Sequence, residues 1–335
     1  MADDPPPIAH PRDVFDYSHG EAVEASFLAA LSRGRLHHGW LLTGPEGVGK
    51  ATFAYRAARR LLGARPDANY GLLGAAPDDR VSRLVAARSH PDLLILERIG
   101  DDGKPRKVIP VDDARRLPEF FSKAPAMGGW RIAIVDSVDD MNPSSSNALL
   151  KTLEEPPQRG MLFLVSHAPG GLLDTIRSRC RRLRFAPWQE AAVAAFLLSK
   201  SNVSEEDALR LAHMSGGAPG RALALGAAGA IAADDAARGF IDALPALDAA
   251  RVQALAETFR GSEAQERFSL AIQRLSAQAR RRALLAAETG AGGAERWAAA
   301  QAILDALPGE VDGLNLDRGD ALWTAIGELR RAARS

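Results

Sequence analysis

A single cysteine, Cys180, stands among 335 residues. That one thiol excludes an intramolecular disulfide and any zinc site built from several cysteines. Neither sign of charge is in excess, because 42 basic and 42 acidic residues cancel. The balance argues against a protein that grips nucleic acid alone through a global positive field, though local patches stay open. No apolar run approaches the roughly 18 residues that read as a membrane helix, and residues 1–10 are acidic and proline-rich, unlike a signal peptide. The expectation is a cytoplasmic protein with no membrane partner. Strand-like segments are also missing beyond Gln189, where Ala/Leu-rich helical periodicity is broken only by glycine clusters.

What is present comes first as Gly44-Pro45-Glu46-Gly47-Val48-Gly49-Lys50-Ala51-Thr52. It follows the apolar Trp40-Leu41-Leu42 and opens the helix-like Phe53-Ala54-Tyr55, the strand–loop–helix context that a phosphate-binding loop requires. Its glycines let backbone N–H groups close on a phosphate, and Lys50 reaches the β/γ oxygens. The next position ordinarily gives Mg²⁺ a hydroxyl, yet here it is Ala51; Thr52 lies one residue on, about 100° around the helix. Further strand-like runs occur at 93–96, 131–135 and 161–165, alternating with helical stretches at 112–121 and 143–153, after a helix over 21–31. This alternation predicts an α/β P-loop domain with a parallel sheet. Residues 99–110, charged and Gly/Pro-bearing, read as a surface loop. The expected organisation is a disordered lead over 1–11, the α/β domain over 12–186, a small helical lid over 187–229 and an all-α domain over 230–335.

Several positions carry candidate chemistry, each with a plainer reading beside it. Asp136 ends a buried strand where a P-loop ATPase places a carboxylate for Mg²⁺; it also reads as a solvated turn residue. The position after it, where hydrolytic proteins carry a water-polarising Glu, is Ser137. Ser166 ends the next strand, either sensing γ-phosphate or merely forming a turn. Asn142-Pro143 caps a helix that Pro156-Pro157 stops, with Leu149, Leu150 and Leu153 on one face, as in any packed amphipathic helix. Arg177, Arg179, Arg181, Arg182 and Arg184 form a basic run that would suit a DNA phosphate patch. His37-His38 has no third ligand partner, so structural or adenine-proximal roles are favoured over metal.

The segment Ser146-Asn147-Ala148-Leu149-Leu150-Lys151-Thr152-Leu153-Glu154-Glu155-Pro156-Pro157, followed by Arg177-Ser178-Arg179-Cys180, resembles the signature of the bacterial DNA polymerase III clamp-loader ATPases, an AAA+ family. The residues around 35–38 and Ser89-His90-Pro91-Asp92 fit the same pattern, and the likeness covers roughly 16–225 well. The resemblance implies an AAA+ fold whose C-terminal helices form a collar holding a hetero-pentamer together, with the sliding clamp and primed DNA as partners of the assembly. It implies that Arg179 reaches in trans to the γ-phosphate of a neighbouring motor subunit. Asn147, Lys151, Glu154, Glu155, Ser178 and Cys180 then belong to an interface motif, and Gly44, Gly47, Gly49, Lys50, Thr52, Asp136 and Ser166 to a degenerate nucleotide site. ATP or ADP, with Mg²⁺ only alongside nucleotide, are the cofactors that this implies. Ala51, Ser137 and the lack of cysteines over 63–91 resemble the delta-prime branch, with little or no intrinsic ATPase and no zinc. The alternatives are the hydrolysing motor subunit and, more remotely, a small-molecule P-loop kinase. Arg221 falls one residue late for a second sensing arginine, and the conformation of 63–89 without a zinc module is left open.

Overall fold

A computed structural model describes residues 8–34, 36–99, 106–261 and 264–334; Arg35 and part of the expected 99–110 loop lie outside them. The chain divides into two compact units, one ending at Leu223 and one beginning at Ala224.

The first unit runs α1 (Glu21–Ser32), β1 (Gly39–Thr43), α2 (Lys50–Leu61), α3 (Arg80–Ala86), β2 (Leu93–Glu97), α4 (Val111–Ser122), β3 (Arg131–Asp136), α5 (Pro143–Glu154), β4 (Gly160–Ser166), α6 (Asp174–Ser178), β5 (Arg181–Arg184), α7 (Glu190–Lys200), α8 (Glu205–Ser215) and the start of α9 (Pro219–Ala227). All strand pairs are parallel, in the order β2-β3-β4-β1-β5. This is the expected sheet, and its inner strands read as unbroken apolar runs because helices cover both faces.

Alternation along each strand sorts the core into two layers. Trp40, Leu42, Ile132, Ile134, Phe163 and Val165 pack with Phe27 and Phe53 from α1 and α2. Leu41, Ala133, Val135, Leu162 and Leu164 pack with Leu117, Leu149 and Leu153 from α4 and α5. The α5 boundaries follow their sequence signals, since Asn142 Oδ1 accepts from Ser145 N at 2.9 Å and Pro143 takes the first helical position. One strand was not legible as such. β5 carries only Leu183 as a buried residue among exposed arginines, a pattern suited to a sheet edge, where charge discourages further pairing.

Segment 63–89 folds without metal-ligand cysteines. Asp67 caps a short turn over Ala68–Tyr70, and Asp79 caps α3 by accepting from Val81 N and Ser82 N. A buried ion pair holds the turn against the domain: Arg56 Nε donates to Glu24 Oε1 at 2.6 Å, Arg56 Nη2 donates to Tyr70 O at 2.5 Å, and Leu73 N donates to Glu24 Oε2 at 3.1 Å. Each charge here is paired and hydrogen-bonded, the condition for tolerable burial.

The second unit is entirely helical among the described residues, from the end of α9 through α10 (Ala230–Asp242), α11 (Ala249–Glu257), α12 (Ala264–Thr289), α13 (Ala294–Leu314) and α14 (Arg318–Ala333). Its core gathers Phe240, Phe268, Ile272, Leu275, Leu304, Leu322 and Ile326. No helix among the described residues is long and apolar enough to cross a membrane.

Candidate functional site

The phosphate loop leaves the carboxyl end of β1 and delivers the chain into α2, so any group it binds lies at the carboxyl ends of the strands, the usual ligand side of an open parallel sheet. Gly49 caps α2 at φ +100°, a conformation that strains residues with a side chain. Lys50 is buried, and its ammonium donates to Gly44 O at 2.7 Å and Pro45 O at 2.5 Å. Burial pulls it down to about 8, against the pull of Asp136, Glu46 and Asp139. Ala51 offers no hydroxyl, and Thr52 is buried one position on.

Asp136, Ser166 and Glu97 end adjacent strands on this same side. Burial, reinforced by Glu97, pushes the Asp136 carboxyl up to about 6, so desolvation works against the charged form that Mg²⁺ would need. The Ser166 hydroxyl, fully buried, donates to Asp139 Oδ1 at 2.9 Å, and the backbone N–H groups of His167 and Ala168 converge on the same carboxylate at 2.6 and 3.3 Å. Ser137 donates to Asp140 Oδ2 at 2.8 Å as a turn cap. The loop therefore sits beside polar groups already engaged with one another. Asp139 is the residue that sequence reading missed, although the acidic Asp136-Ser137-Val138-Asp139-Asp140 run marks its place.

Two further elements close on the loop. Gly220 N, in the first turn of α9, donates to Gly47 O at 2.8 Å, and a Cβ on Gly47 would come within 2.3 Å of Arg221 N. The Arg221 backbone thus abuts the loop while its residue stays exposed. The chain over 8–20 straps across the domain. His10 Nε2 lies 3.5 Å from Glu97 Oε2, Arg56 and Arg59 donate to Phe15 O and Arg12 O, and Tyr17 OH donates to Gly49 O at 3.3 Å. Of the expected lead, residues 1–7 lie outside the described residues, whereas His10 and Pro11 belong to this strap.

The ends of α5 and α6, with Lys151, Glu154, Glu155, Ser178, Arg179 and Cys180, lie at the opposite, amino end of the sheet. Arg179 ends α6 just before β5, whose Arg181 lies level with Trp40 near the start of β1. A Cβ on Gly39 would touch Leu153, Cys180 Sγ and Arg179 O at 3.0 to 3.5 Å, which locks the ends of α5 and α6 together there. Burial raises the Cys180 thiol to about 12, so it acts as packing. His38 Nε2 donates to Leu153 O at 3.1 Å and stacks on His37, a structural role for that pair. Asn147, Lys151 and Glu154 are exposed at helical i, i+4, i+7 spacing and share one face of α5. Arg179 Nη2 lies 3.0 Å from Glu154 Oε1, and its Nη1 donates to Thr175 O at 3.1 Å. Glu155 and Ser178 are exposed beside them, the Ser178 hydroxyl donating to Thr175 O. Three neighbours in the basic run have separate local partners: Arg177 pairs with Asp174, Arg181 lies over the Trp40 ring at 5.0 Å, and Arg182 Nε donates to Thr43 Oγ1 at 3.1 Å.

A family model described as DNA polymerase III, delta subunit, matches residues 20–189. The DNA polymerase III subunit delta' of Pseudomonas aeruginosa is 37% identical over 184 residues, covering 54% of this chain and 53% of that protein. The subunit delta' of Escherichia coli is 32% identical over 198 residues, covering 59% and 57%. The DNA polymerase III subunit gamma of Buchnera aphidicola is 30% identical over 186 residues, covering 56% and 48%. The chain thus matches about half the length of these relatives, through its α/β unit.

Proposed function

The chain belongs to the DNA polymerase III delta-prime family of AAA+ clamp-loader proteins, and from that premise we propose that it is a largely non-hydrolysing ring subunit that supplies Arg179 to a neighbour's active site. The observation that carries this reading is the opposition of the two motifs. The phosphate loop lies at the carboxyl end of β1 and Arg179 near its amino end, about five residues of strand or roughly 16 Å apart. No arginine side chain spans that distance back through the sheet, so Arg179 serves a phosphate on another molecule or none. A guanidinium placed against a γ-phosphate offsets charge developing in phosphoryl transfer and is worth about 10³–10⁵ in turnover.

The loop amides and Lys50 fit a phosphate group. Ala51 offers Mg²⁺ no hydroxyl and Ser137 cannot polarise water, so no hydrolytic step is assigned to this loop. The partners in this reading are motor and delta subunits in a hetero-pentamer, joined through the helices of 230–335 as a collar, with the sliding clamp and primed DNA engaged by the assembly.

Two measurements test the proposal. The isolated chain should show no steady-state ATP turnover; turnover that persists at high purity and vanishes in Lys50→Ala would return the chain to the motor class. In a reconstituted loader, Arg179→Ala should assemble normally yet lose clamp-stimulated hydrolysis in part, since other interfaces keep their own arginines. A DNA-patch role predicts instead weaker DNA binding with a reduced salt slope and normal turnover at saturating DNA.

A further inference from the structure

We infer that Glu154 is the positioning residue for Arg179, holding the guanidinium ready for the neighbour's phosphate; the inference rests on the trans reading of Arg179. Glu154 is the last residue of α5, where the helix dipole disfavours a carboxylate. Its own helix therefore gives it no electrostatic reason to be acidic. What it does contact is Arg179 Nη2, at 3.0 Å across from the end of α6. Thr175 O takes Nη1 at 3.1 Å, so both terminal nitrogens are anchored from two different elements.

A guanidinium has five N–H donors in a planar fork. Two are used here, and the remaining three stay available for phosphate oxygens. The side chains of Arg179 and Glu154 are 37% and 49% exposed, so the fork is held at the surface. An unanchored arginine would have to give up its rotamer freedom each time a neighbour's nucleotide arrived. The Glu154 and Thr175 contacts remove that freedom beforehand, which is how pre-organisation raises a rate without adding a contact to the transition state. Glu154 also lies on the exposed α5 face with Asn147 and Lys151, which places it on the surface that the neighbour would meet.

The test uses the reconstituted loader with Glu154→Ala, Glu154→Gln, Arg179→Ala and the double variant, read as kcat and KM for ATP at saturating clamp and DNA. Glu154→Ala should lower kcat with KM unchanged, by a fold-loss that approaches but does not exceed that of Arg179→Ala, as expected for loss of orientation at one interface. Glu154→Gln keeps an acceptor oxygen and should recover part of that loss. The double variant should be no slower than Arg179→Ala alone, because a residue acting through another shows full coupling in a double-mutant cycle. A raised kcat in Glu154→Ala would mean that the pair stows the arginine, and losses that add in the double variant would mean an independent role; either overturns the inference. If Glu154→Ala matches the parent while Arg179→Ala is slow, only the positioning role fails. If Arg179→Ala itself turns over normally, the trans reading fails and this inference with it.

Discussion

The two ends of the central sheet spend their polar groups differently. At the carboxyl end, the carbonyl oxygens of the phosphate loop are bonded by its own chain: Lys50 donates to Gly44 O and Pro45 O, Gly47 O accepts from Gly220 and Gly49 O accepts from Tyr17, while nearby Ser166 is held by Asp139. At the amino end, Lys151, Glu154, Glu155 and Ser178 face solvent, and Arg179 keeps donors to spare. The first end is built into the fold, whereas the second is displayed on it. The loop's carbonyl oxygens are spent within the fold, while the polar side chains of the second motif stay exposed.

Stability measurements on single variants can break or sharpen that contrast. The largest effect is expected at Glu24→Ala, which leaves Arg56 buried without its counter-charge. Removing one partner of a buried pair costs about 3–5 kcal/mol, and denaturant unfolding of the full chain should show that loss in the transition of the α/β unit.

Gly47→Ala should come next. The substitution meets both φ +77° and the Arg221 backbone, and strain of this kind costs about 1–3 kcal/mol. Faster hydrogen exchange in the first turn of α9 would identify the broken contact; unchanged exchange there would mean that the loop does not hold the helix.

A comparable effect, but a pH-dependent one, is expected at Asp136. Burial raises its carboxyl from 3.8 to about 6, so the folded state binds its proton more tightly than the unfolded chain. The stabilisation is complete below the unfolded value and is lost as pH rises through the folded one. Asp136→Asn, which carries no charge to bury, should therefore match the parent below about pH 3 and exceed it by about 2–3 kcal/mol above pH 6. Equal stability of the two proteins across that window would place Asp136 in contact with solvent.

The smallest change belongs to the displayed end. An exposed ion pair contributes about 0–1 kcal/mol, so Arg179→Ala should unfold within about 0.5 kcal/mol of the parent. A loss above about 2 kcal/mol would mean that this arginine supports its own domain and would remove the contrast altogether.

Some of this arrangement was written in local patterns and some was not. The inner strands were legible because apolar runs such as Ile132-Ala133-Ile134-Val135 have no other stable place than a covered parallel sheet. The caps of α5 were legible because Asn142, Pro143 and Pro156 act within a few residues of themselves. β5 was hidden because an edge strand needs little hydrophobicity, and its arginines read first as a basic run. The Glu24–Arg56 pair was hidden because its members are 32 residues apart and each is an ordinary charged residue within its own helix.

The sequence by itself determined the chemistry each position can offer: a loop able to cradle a phosphate, no hydroxyl at Ala51, no carboxylate at Ser137, and an arginine ahead of Cys180. These follow from residue identity and short spacing, which folding cannot change. Only the tertiary structure decided what those groups face. Strand order set the phosphate loop and Arg179 at opposite ends of one sheet, the strap and α9 closed on the loop, and the end of α5 brought Glu154 to Arg179. Such juxtapositions depend on contacts between residues far apart in the chain, whose partners are chosen by the packing of the whole unit.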